Sequence, residues 1–154
     1  MRNISFFLAA FLMLSACSNE PVQINLLDQP RKWKGDEPLT MKDGTAILEG
    51  EYETWVYQAG TFRTFENFEL TTEIYTRPGA FASILFHTNI RDLSQGYEVI
   101  IDNSDVGNWD HLIKTGSLKS VRNIHYKMVG DTTWFKLTLK VEENHIYITI
   151  NGHP

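Results

Sequence analysis

The chain has 154 residues, 42% hydrophobic and 21% charged, which is enough for one globular domain with a core of its own. Its net charge of −5 lacks the basic excess that nucleic acid or an anionic lipid surface attracts, so no nucleic-acid partner is expected. A single Cys rules out an internal disulfide, and the core must hold the domain together unaided.

The first predicted element is a targeting segment. Arg2 precedes an apolar run from Ile4 to Met13, and Leu14-Ser15-Ala16-Cys17 follows. Crossing roughly 30 Å of hydrocarbon takes about 20 apolar residues, so this shorter run reads as a signal peptide over residues 1–16. Leu-Ser-Ala-Cys is similar to the bacterial lipobox, in which the Cys is lipidated and becomes the new N-terminus. Cys17 is therefore the expected lipidation site, and residues 17–23 form a polar tether. The implied location is the cell envelope, lipid-anchored on a periplasmic or outer-membrane surface. Losing Arg2 leaves the mature chain more acidic, so attachment would come from acyl chains and not from a basic patch.

From residue 24 onward the apolar positions alternate. Phe68, Leu70, Thr72 and Ile74 share one side of a stretch whose other side carries Glu69, Thr71, Glu73 and Tyr75. Phe135, Leu137, Leu139 and Val141 repeat the pattern, as do Ile146, Ile148 and Ile150. Period-two runs of this composition predict strands. Asp43-Gly44, Arg77-Pro78-Gly79, Gly96, Gly130-Asp131 and Asn151-Gly152 supply turns between them. Short strands without intervening helices predict an all-β sandwich or jelly roll of two antiparallel sheets over residues 24–154. Asn151-Gly152 signals a further hairpin, yet only His153 and Pro154 follow, so C-terminal strands of the sandwich are expected to be missing.

Residues 97–102 carry the sharpest local question. Alternation places Tyr97, Val99 and Ile101 between the sheets and Glu98, Ile100 and Asp102 on an open concave face. Two carboxylates four residues apart on a strand are about 13 Å apart at roughly 3.3 Å per residue. Glycosidase pairs need about 5–5.5 Å or 6.5–9.5 Å. Glu98 and Asp102 are therefore not a self-contained glycosidase pair, although either could work with a carboxylate from another strand such as Glu73. If residues 83–87 and 96–102 form a hairpin, pairing His87 with Glu98 and Ser83 with Asp102 sets the four polar side chains on one face. Trp109 is a candidate for stacking on sugar CH groups, and His111 and Arg122 are candidates for substrate contact. His125, His145 and His153 read as structural or solvated. Trp55 and Trp134 read as core, and Trp33 as packing.

Six blocks occur in a characteristic order: Asn67–Glu73 (NFELTTE), Pro78–His87 (PGAFASILFH), Gly96–Asp102 (GYEVIID), Thr115–Arg122 (TGSLKSVR), the Trp134-Phe135 strand and Asn151-Gly152. Together they resemble the 3-keto-disaccharide hydrolase domain family. The resemblance implies a concanavalin-A-like sandwich that hydrolyses or eliminates 3-keto-glycosides, with a carbohydrate as substrate or ligand. A ketone at C3 acidifies the C2 proton and lets the C1 oxygen leave by β-elimination, after which water adds back. That chemistry needs a base and an electrophile for the enolate oxygen. Glu98, His87 and Asp102 are the candidate catalytic groups. A divalent metal held by His87 and Glu98 is one candidate electrophile. Glu73, Trp109, His111 and Arg122 would bind substrate. The alternative is a non-catalytic glycan-binding lipoprotein of the same fold. Thr71, Ala82 and Ile100 favour it, standing where the family commonly carries Arg, Asn and Gln.

Overall fold

A computed structural model describes residues 21–50, 53–58, 65–89, 91–105 and 112–154. They fall into two compact units, 1–57 and 58–154. In the first, β1 (Trp33–Lys34) pairs antiparallel with β4 (Val56–Tyr57), and β2 (Thr40–Lys42) with β3 (Thr45–Ile47). Asp43 and Gly44 join β2 to β3 with φ of 50° and 76°, the left-handed pair that a two-residue hairpin demands. Trp33 packs edge-on against Tyr57 and donates its indole N–H to the Leu26 carbonyl.

The second unit is an antiparallel sandwich. One sheet has the order β5 (Phe68–Tyr75), β8 (Trp134–Glu142), β9 (His145–Ile150). The other pairs β6 (Phe81–Phe86) with β7 (Tyr97–Asp102). A bridge from Val99 to Leu118 sets residues 115–119 along the free side of β7, with Ile100 N–H donating to Ser117 O and Gly116 N–H to Ile100 O. This third, strand-like segment makes β7 central in its sheet.

The core lies where the inward residues of the two sheets meet. Phe86, Val99, Ile101 and Leu118 come from one sheet, and Phe135, Leu137, Leu139, Val141 and Ile150 from the other. Val99, Leu137 and Leu139 are fully buried. Phe135, Leu137, Leu139 and Val141 share the inward side of β8, as their alternation predicts, and Phe68, Leu70 and Ile74 of β5 pack against them. The Asn151-Gly152 turn forms with φ of 52° and 81°, and Ile150 and His153 exchange backbone hydrogen bonds across it.

Two expectations are corrected. Trp134 is not core, because placing Phe135 inward forces its neighbour outward, where it is 54% exposed. Tyr97 sits at the sandwich rim, 40% exposed, and leaves the interior to Val99 and Ile101.

Candidate functional site

β6 ends at Phe86 because His87 takes a left-handed conformation, φ 51°, and turns the chain out of the sheet. Gly96 returns it at φ 109°. A Cβ there would meet the carbonyl oxygens of Phe86 and His87 at 2.8 Å, so the close approach needs glycine. The loop between them is held by Asp92. Its carboxylate accepts from Ser94 N–H, Ser94 Oγ and Gln95 Nε2, and these bonds, Ser94 Oγ first, hold its pKa below the ordinary carboxylate value.

This hairpin differs in register from the expected one. Glu98 stands opposite Leu85, Ile100 opposite Ser83 and Asp102 opposite Phe81. The two-residue slip preserves which side chains point outward but removes His87 from the ladder. The His87 ring instead meets Phe86, Tyr97 and Phe68 at centroid separations of 5.5, 6.4 and 6.0 Å. Phe86 and Tyr97 belong to the face opposite Glu98. The Nε2 of His87 lies 3.0 Å from both the Phe65 and Glu66 carbonyl oxygens, so it carries a proton and has no lone pair there for a cation.

Glu98 is engaged elsewhere. Residues 115–119 bring Lys119 beside it, Nζ to Oε2 at 2.7 Å, while Lys119 N–H donates to the Glu98 carbonyl. Both side chains reach solvent, at 51% exposure for Lys119 and 23% for Glu98. The structure does not bring His87 and Glu98 together as a ligand pair. Among the described residues no three His, Cys, Asp or Glu side chains gather as a cation site. His87 and Glu98, the pair expected to hold a divalent metal, supply no joint donor set among the described residues.

The open concave face expected along Glu98, Ile100 and Asp102 is open only at Glu98. Ile100 and Asp102 are 2% and 0% exposed. The Asp102 carboxylate accepts from Ser104 N–H at 2.9 Å and Ser104 Oγ at 2.6 Å through Oδ1. Lys114 Nζ approaches Oδ2 at 3.5 Å and donates to Ser104 O at 2.8 Å. A buried carboxylate survives by such pairing.

A polar chain continues from it. Asp102 N–H donates to Thr115 Oγ1, Thr115 donates to Asn103 Oδ1, Asn103 Nδ2 donates to Thr76 Oγ1, and Thr76 donates to Asp131 Oδ1. Thr76 and Asp131 flank β5 and β8, whereas Asn103 and Thr115 flank β7. The chain therefore fastens the two sheets to each other at the end of the sandwich, where the apolar core gives out.

Glu73 lies elsewhere, exposed on the outer side of β5 opposite Lys136. Arg122 is exposed beyond a tight turn in which its N–H donates to Leu118 O. With Tyr97, Leu118, Val121 and Ile146 it borders a shallow cleft of about 310 Å³. Trp109, His111 and Cys17 lie outside the described residues. Sequence reasoning missed Lys114 and Lys119. The available signal was their position on either side of the Thr115-Gly116-Ser117 block, once that block is laid antiparallel to β7.

The model of the 3-keto-alpha-glucoside-1,2-lyase-like domain matches residues 24–154, and the chain belongs to that family. No curated protein and no solved structure matches the chain.

Proposed function

We propose that the chain cleaves 3-keto-glycosides by β-elimination, with Glu98 as the base and Lys119 as the electrophile. The carrying observation is the 2.7 Å Glu98–Lys119 pair, a carboxylate and an ammonium side by side on the solvent-reached end of β7. The reaction asks for that juxtaposition, because the C2 proton and the C3 carbonyl oxygen sit on adjacent carbons. Glu98 takes the C2 proton, and Lys119 hydrogen-bonds the oxygen as negative charge develops on it. The C1–O bond breaks as the C1–C2 double bond forms, and the leaving oxygen takes up a proton. Water added across the double bond completes a net hydrolysis. Family membership supports the substrate class. Asp102, sealed and already bonded by Ser104 and Lys114, serves the architecture in this reading.

Release of aglycone from a 3-keto-glucoside tests it. Glu98→Gln is expected to lower the rate about 10²–10⁴-fold, the usual worth of a positioned base. Lys119→Met, which removes one charge-stabilising donor, is expected to lower it about 10²–10³-fold. Undiminished release by Glu98→Gln would sink the assignment. Saturable binding by the wild type without release would favour the glycan-binding alternative.

The envelope location is part of the same proposal and rests on Leu14-Ser15-Ala16-Cys17. Cys17→Ser is expected to move the protein from the membrane fraction to the soluble fraction of cells expressing the full chain.

A further inference from the structure

The outward side of the β5-β8-β9 sheet carries a second surface that the elimination chemistry does not use. Tyr75 and Trp134 are cross-strand partners there, 44% and 54% exposed, with ring centroids 5.5 Å apart and planes tilted by 49°. Two large aromatic rings held half in water on a sheet face leave apolar surface unburied, which marks a surface awaiting a partner. The neighbouring rows are polar. Glu73 faces Lys136, Thr71 faces Thr138 with the hydroxyls 3.5 Å apart, and Glu69 faces Lys140. Beyond them lies another exposed aromatic, Tyr147, opposite Lys140 and stacked on His145. Six residues along β8 separate Trp134 from Lys140, so the two aromatic stations are about 20 Å apart.

The chemistry of this face selects one kind of occupant. Acid and base face each other row by row, and Lys140 also holds Glu142 at 2.9 Å, so the three carboxylates and two lysines are engaged with one another and the face offers little net charge to a charged ligand. The aromatics are separated by hydroxyls and charged hydrogen-bonding groups instead of by further apolar side chains, unlike the dry centre of a protein–protein interface. A ligand with apolar CH faces for the rings and uncharged hydroxyls for the rows between fits both features. We propose that this face binds a neutral glucan chain lengthwise, holding the protein on a polymer. The choice of glucose polymer rests on the proposed function, but the platform does not.

Electrophoresis of the full chain through native gels containing hydroxyethylcellulose or soluble starch tests the proposal. The wild type is expected to be retarded in at least one, with apparent affinity falling at least tenfold in Trp134→Ala and in Tyr75→Ala. Trp134→Phe, which keeps a ring, is expected to retain most of the binding and guards against misfolding as the cause. Glu98→Gln is expected to bind like wild type, so loss of elimination and loss of this platform are separately visible. An unretarded wild type in both gels overturns the proposal, as does retardation that survives Tyr75→Ala/Trp134→Ala. A concentration-dependent dimer in sedimentation that Trp134→Ala abolishes would assign the face to a second copy and overturn it equally.

Discussion

On β5 the outward residues Glu69, Thr71, Glu73 and Tyr75 all stand in solvent, whereas on β7 the outward residues Ile100 and Asp102 are sealed and only Glu98 reaches it. Both strands alternate, and both belong to antiparallel sheets whose inner sides build the same core. The bare face needs only its rows of matched charges and hydroxyls. The sealed one needs Lys114 and Ser104 for Asp102, and the polar chain through Thr115, Asn103 and Thr76. A strand's period therefore tells which way a side chain points, and nothing about whether water meets it there.

Substitutions of matched chemistry on the two faces sharpen this contrast. The largest effect is expected for Asp102→Ala, which leaves the Lys114 ammonium buried without its carboxylate and costs about 3–5 kcal/mol. Glu73→Ala, a carboxylate lost from the bare face, is expected to stay within about 0.5 kcal/mol. Urea denaturation of the two variants measures the difference, and equal losses would erase the distinction. Next comes Thr76→Val, nearly isosteric, which strips Asn103 Nδ2 and Asp131 Oδ1 of their shared partner. Unsatisfied buried groups of this kind cost about 1–3 kcal/mol, again read from the urea midpoint.

The smallest effect concerns the bare face alone. The hydrogen bond and charge of Lys140 hold the Glu142 carboxyl below its ordinary 4.5, and those of Glu142 raise Lys140 above its ordinary 10.5. A depressed carboxyl stabilises above its unfolded pKa and loses that contribution as pH falls through the folded value. A raised ammonium stabilises below its unfolded pKa and loses it as pH rises through the folded value. The stability difference between wild type and Lys140→Met should therefore be flat across the neutral range and vanish toward the acid and alkaline ends. A slope near pH 7 in thermal melts would contradict this.

How much of this was legible in the sequence follows from the same contrast. Alternation located β5, β8 and β9 and identified their inward residues, because a buried face imposes a period of two. That logic also required Trp134 to point outward once Phe135 pointed inward; assigning it to the core contradicted the pattern. The β6–β7 pairing was legible in parity but not in register. A slip of two leaves every side chain on its face, and the choice between such registers is made by the His87–Gly96 loop. The Asp102 enclosure was not legible at all. Its partner Lys114 is twelve residues away, and its approach depends on residues 115–119 lying beside β7, where Gly116 and Ser117 break any strand-like run.

The polar chain at the end of the sandwich runs in one direction only. It starts at the backbone N–H of Asp102, which can only donate, and ends at the Asp131 carboxylate, which can only accept. Every hydroxyl and amide between them must hand its proton the same way, so the orientation of Asn103 and both threonine protons is dictated by the two ends. Exchanging Asp131 for Asn would offer a donor as well as an acceptor at that terminus and leave the Asp102 N–H as the one end that fixes the order.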